Sequence, residues 1–124
     1  MADVEGLFAQ WARLYSEGHL QGIADLCLTP FFAVRKGEVF VIPDRGELLT
    51  HFAASIDAYR RVSHAQTWTP YEINTRELGE RSAFVTVHWN ALDEDGQVVR
   101  DTWTSYQLLS TPEGWRFVSY TNHF

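Results

Sequence analysis

Apolar and polar residues alternate through the last third of the chain, at 82–92, 98–109 and 115–123, and a period of two predicts three long antiparallel strands. Tight turns at 93–96 and 111–114 separate them, each closing on a glycine that can take the left-handed conformation a hairpin needs. The chain begins with a different period. Val4, Leu7, Phe8, Trp11, Leu14 and Tyr15 recur every three or four residues and mark one face of a helix that Ser16-Glu17-Gly18 stops. A second, short helix is expected from His19 or Leu20 to about Leu28, with Ile23, Leu26 and Cys27 apolar and Pro30 ending it. Short strands follow at 31–35 and 39–42, turning through Gly37.

Asp44 followed by Glu47 three residues later forms a capping-box-like start, and Pro43 directs the chain into a third helix. Its buried stripe is Leu48, Leu49, Phe52, Ala53, Ile56 and Tyr59. Residues 63–78 read as a fourth long strand, in which Pro70 marks a bulge or an edge. Helices early and long strands late predict an α+β fold: a strongly curved, mixed but mainly antiparallel sheet wrapped around three helices of the N-terminal half, forming a cone with a pocket.

With 124 residues, 45% of them hydrophobic, there is room for one well-packed domain spanning 1–124. A formal net charge of −6 argues against nucleic acid or an anionic membrane surface as a partner, because the protein's own field would oppose both. Cys27 is the single cysteine, which excludes an intramolecular disulfide and a cysteine cluster for zinc and fits a reducing compartment. Asp3 and Glu5 stand where a signal peptide needs basic residues, and no apolar run approaches the roughly 18 residues of a membrane span, so a cytoplasmic protein is expected. His19, His51 and His64 lack metal-ligand spacing, and neither metal nor cofactor is expected. The chain has no phosphate loop, nucleophile elbow or dinucleotide-binding glycine pattern. Acid–base chemistry and binding remain.

Both depend on which side chains face inward. Ala83, Val85, Val87, Trp89 and Ala91 form the apolar face of one strand. A three-residue bulged turn would set Val87 near Trp103 and put Asp101 inside, whereas a four-residue loop would place His88 and Asp101 on a common face; the bulged turn is the expectation adopted. An inward Asp101 among tryptophans is the candidate catalytic acid or base, since desolvation disfavours its anion. Trp11, Tyr15, Trp103 and Tyr120 would shape the pocket, and His88 or Asn122 would orient a ligand. On the last strand, Tyr120 and Asn122 face inward in one register, Ser119 and His123 in the other.

Three segments carry a resemblance: 16–23 between the first helices; Gly37-Glu38-Val39-Phe40 ahead of Glu47-Leu48-Leu49-Thr50-His51-Phe52; and the closing Gly114-Trp115-Arg116-Phe117. Together they resemble the nuclear-transport-factor-2-like superfamily, the cystatin-like cone fold that includes SnoaL-like polyketide cyclases, ketosteroid isomerase and scytalone dehydratase. The resemblance implies a pocket for a small hydrophobic molecule. It also implies either acid–base isomerisation, cyclisation or dehydration of an apolar carbonyl compound, or a non-catalytic ligand-binding or dimeric assembly domain. The isomerase's own mechanism does not transfer: its first-helix tyrosine falls at Trp11, and its general base falls near Arg35. A homodimer would form through the convex sheet, with Phe84, Tyr106, Trp115 and Phe117 as its expected exposed side chains.

Overall fold

In a computed structural model, described over residues 3–123, the chain forms three helices and one six-stranded sheet. Helix α1 (Val4–Glu17) starts where the Asp3 carboxylate accepts the Gly6 N–H at 2.9 Å, and ends at Gly18 in the left-handed region, φ 68°. The short α2 (Leu20–Asp25) leads into β1 (Cys27–Arg35) and β2 (Glu38–Ile42). Helix α3 (Arg45–Ser63) is capped as its sequence predicts, with Asp44 accepting the Glu47 N–H at 2.9 Å. Strands β3 (Thr67–Leu78), β4 (Ser82–Leu92), β5 (Val98–Thr111) and β6 (Gly114–His123) complete the fold.

Two boundaries differ from the sequence reading. The second helix stops at Asp25, so Cys27 opens a strand rather than closing a helix, and that strand passes through Pro30. A break in the β1–β6 register between Cys27 and Phe32 accommodates it. Residues 63–66 are not strand: His64 caps α3 at φ 61°, and Ala65 N–H bonds back to the Tyr59 carbonyl at 3.2 Å before β3 begins.

The strands lie in the order β2-β1-β6-β5-β4-β3, with β1 and β6 parallel and every other neighbouring pair antiparallel. This is the mixed, mainly antiparallel α+β cone that the pattern predicts. Helix α1 lies against β3, and the buried Leu48, Phe52 and Ile56 of α3 join Phe8, Phe31 and Phe117 in the core. Ala83, Val85, Val87, Trp89 and Ala91 are all buried, as their alternation implies. Tyr106, Trp115 and Phe117, expected on the convex surface, belong instead to the core; Phe84, 42% exposed, does face outward.

Three irregularities shape the long strands. One extra residue is inserted on β3 at Tyr71, on β5 at Val99 and on β6 at Val118, as the register breaks on either side of each show. Each inserted residue bends its strand and reverses which residues face inward beyond it.

Candidate functional site

The helix-covered face of the sheet is not completely filled. Between α1, α3 and strands β3 to β6 lies a pocket of about 510 Å³, measured out to and including its open mouth. Its walls are aromatic: Trp11, Tyr15, Phe52, Tyr59, Trp68 and Trp89. These rings support one another edge to face, with centroids 5.5 Å apart for Trp11–Phe52, 5.7 Å for Tyr15–Trp68 and 5.0 Å for Tyr59–Trp68. The Arg100 guanidinium sits over the Tyr59 ring, 4.9 Å from its centre. Ser16 fixes α1 to β3 at this wall, donating to the Ala12 carbonyl at 2.6 Å and accepting the Trp68 N–H at 2.9 Å.

Uncharged polar groups interrupt the aromatic surface: Ser55, Thr102, Thr104, Tyr106, Tyr120 and Asn122. Tyr15 and Ser55 share a hydrogen bond of 3.0 Å. The Trp89 indole N–H donates to the Tyr106 hydroxyl at 2.9 Å, and the Thr104 hydroxyl donates to Asn122 Oδ1 at 3.2 Å. Tyr120 makes a 2.6 Å bond to His51 Nε2, with Arg35 beside it. Burial pushes the hydroxyls of Tyr15 and Tyr106 well above the ordinary tyrosine value and raises Tyr120 to about 12, so all three are neutral near pH 7.

Four of the residues expected at the site line this pocket: Trp11, Tyr15, Tyr120 and Asn122. Asp101, His88 and Trp103 do not. If the β4–β5 ladder ran unbroken from the Leu92–Val98 pair, Val87 would oppose Trp103 and Asp101 would point inward, as expected. The extra residue at Val99 puts Val87 opposite Thr104 and turns Asp101 out. On the convex face its carboxylate, 64% exposed, bonds His88 Nε2, and the His88 ring stacks on Trp103 at 4.3 Å with 13° between the planes. Asp101 is therefore not placed to exchange a proton with anything in the pocket.

The sequence reading placed Phe52, Tyr59 and Trp89 on inward faces without naming them as lining residues, and it missed Ser55, Trp68, Thr102, Thr104 and Tyr106. One of them carried a legible signal: Ser55 lies three residues after Phe52 and four before Tyr59, a polar interruption in the apolar stripe of α3. His51 had no such signal, because its partner lies 69 residues away. Among the described residues, no group of three histidine, cysteine or acidic side chains converges to hold a metal, and no helix is long and apolar enough to cross a membrane.

The NTF2-like protein family (DUF6841) matches residues 2–124. The chain belongs to that family. Solved structures agree on the fold. An NTF2-like protein with a cystatin-like fold from Novosphingobium aromaticivorans superposes with a TM-score of 0.73 at 16% identity, covering 94% of this chain and 76% of that one. A protein from Shewanella frigidimarina provisionally called a ketosteroid isomerase gives 0.71 at 18% identity, covering 95% and 92%. One from Streptomyces avermitilis, provisionally called a dehydratase of the NTF2-like family, gives 0.70 at 20% identity, covering 94% and 90%. At these identities the likeness shows the fold alone. No curated protein matches the chain.

His51 gives this NTF2-like protein a pH dependence. Desolvation, and secondarily the charge of Arg35, lower its pKa below the ordinary histidine value. Between the lowered folded value and the ordinary value of about 6.5, the unfolded chain binds more protons than the folded one, so stability falls as pH falls through that window. Above the window the contribution is fully present. Thermal melts from pH 7.5 down to 5 are expected to show a steeper loss of Tm for the native chain than for His51→Gln; parallel curves would remove His51 from the account.

Proposed function

We propose that this protein binds a small, planar, uncharged and largely apolar molecule in the concave pocket, and that it does so as a binding protein. The observation that supports this reading is the composition of the lining: aromatic rings and neutral hydroxyl and amide groups, with no carboxylate, lysine, arginine or histidine among them. A charged ligand would lose its hydration there and find no charged side chain in the lining itself to replace it. Acid–base turnover needs a proton-transferring group at the ligand, and Asp101, the carboxyl expected to supply it, lies on the other face of the sheet. The isomerase and dehydratase names of distant structural neighbours describe those proteins, and the same fold carries binders and enzymes alike.

The test is a titration with 1-indanone, an uncharged aromatic bicycle, followed by quenching of the fluorescence of Trp11, Trp68 and Trp89 in the pocket wall. Saturable quenching is the expected result. Quenching that rises linearly with concentration, as simple collision gives, would reject the pocket as a binding site.

The proposal includes a second copy of the chain docked on the convex sheet. Tyr71, 66% exposed, and Phe84 face outward there, with Tyr71 edge-on to His88 at 4.9 Å beside the His88–Trp103 stack. A dimer mass in sedimentation at micromolar concentration, reverting to monomer in Phe84→Lys, is the expected outcome; a monomer throughout contradicts it. A cytoplasmic setting completes the reading. Its support is a single half-buried thiol, Cys27, whose pKa burial pushes up and which is therefore unreactive.

A further inference from the structure

Two hydrogen bonds orient polar groups in the pocket wall, Trp89 to Tyr106 and Thr104 to Asn122. An indole N–H can donate and cannot accept, so the 2.9 Å bond from Trp89 makes the Tyr106 oxygen an acceptor. The Thr104 hydroxyl, two residues along the same strand from Tyr106 and also in the pocket lining, donates to Asn122 Oδ1 at 3.2 Å. Thr104 and Asn122 are direct cross-strand partners, so the β5–β6 ladder holds this bond in place. Three of these four side chains are almost fully buried, Trp89 4% exposed, Tyr106 5% and Thr104 8%, so these bonds are made away from bulk water.

Asn122 lines the pocket. Its carbonyl oxygen is occupied, so its orientation is set and its NH₂ group is what remains for a ligand. Tyr120, two residues earlier on the same face, does not compete for this role. Arg35 lies beside the Tyr120 oxygen, and that hydroxyl is engaged with His51 Nε2 at 2.6 Å.

Resting on the reading of the pocket as a binding site, we infer that the Asn122 amide is its fixed hydrogen-bond donor, oriented by the Thr104 hydroxyl that holds its carbonyl oxygen, and that the ligand class is an apolar ring system bearing a hydrogen-bond acceptor such as a carbonyl oxygen. The amide donates along a direction set by its bond to Thr104, which acts as the positioning residue.

Three probes of nearly equal shape separate the possibilities: 1-indanone carries an acceptor, indane carries no polar group, and indoline carries an N–H donor. Calorimetric titration of the full chain is expected to give 1-indanone roughly tenfold tighter binding than indane, the worth of one well-made buried hydrogen bond. Asn122→Asp, which replaces the donor with an acceptor of the same shape, brings 1-indanone down to the affinity of indane and leaves indane unchanged. Thr104→Val keeps the strand but frees the amide to turn, and is expected to reduce the preference about threefold; it also serves if Asn122→Asp does not fold. In ¹⁵N spectra the side-chain amide signal of Asn122 moves on adding 1-indanone and not on adding indane. Equal affinity for 1-indanone and indane, or indoline bound ahead of 1-indanone, overturns the inference while the pocket stands. Failure of all three probes to bind removes the pocket reading and the inference with it.

Discussion

Phe117→Ala is expected to reduce the unfolding free energy by about 3–5 kcal/mol, a large share of the roughly 5–15 kcal/mol that holds a domain together. The ring is fully buried where the first helix meets the last hairpin. Its centroid lies 4.3 Å from Trp11, 5.3 Å from Tyr106 and 5.4 Å from Phe8, so its removal leaves three large rings facing a void that rigid neighbours cannot collapse to fill. The backbone at the same residue is fixed as well: Phe117 N–H donates to the Leu26 carbonyl at 2.8 Å, joining β6 to the end of α2. Urea unfolding followed by circular dichroism is the measurement, with the midpoint shift read at constant slope. Leu109→Ala, at a side chain 36% exposed on β5, is the reference and should cost less than about 1 kcal/mol. A Phe117 shift no larger than that of Leu109 would mean that the core closes without this ring.

Phe117 also marks the point where alternation along β6 stops being a reliable guide. Trp115 and Phe117 are inward, and continued alternation would bring Ser119 and His123 into the pocket. The extra residue at Val118 reverses the parity, so that Tyr120 and Asn122 face inward instead. The same device at Val99 moves Asp101 from the pocket to the convex face. Element types and their order were legible because they depend on local periodicity, caps and turns: the stripe from Val4 to Tyr15, the Asp44 cap and the alternation of β4 all appear in the structure as read. Pro70 likewise announced the irregularity beside Tyr71, because proline cannot donate to a ladder. Val99 and Val118 announced nothing. Valine is an ordinary strand residue, and whether a ladder takes it in step or as an insertion is settled by the neighbouring strand and the packed helices. Of the pocket residues, Trp11 and Tyr15 on helix α1 lie on the face that spacing alone marks, while every assignment on β5 and β6 turned on an insertion of one residue.

The position that these insertions bring to the pocket with the fewest other duties is Thr102. It faces the cavity opposite Trp89 and lies next to the exposed Asp101, on a strand whose geometry suits an aromatic side chain. Thr102→Phe is expected to place a ring in the open space, weakening 1-indanone binding by at least tenfold. Because it fills a pocket rather than a packed core, the fold should survive with a change of no more than about 1–3 kcal/mol, the usual range for overpacking. Fluorescence titration paired with a urea unfolding curve on the same sample separates the two effects. Asp101→Asn, one residue away with its side chain on the opposite face, is the control, and its binding curve should overlay that of the native chain. Loss of binding in Asp101→Asn with retention in Thr102→Phe would place the ligand on the convex face beside His88 and Trp103. The reverse pattern puts it among the aromatic walls, because two adjacent residues of one strand point to opposite faces of the sheet and only one of those faces can hold the molecule.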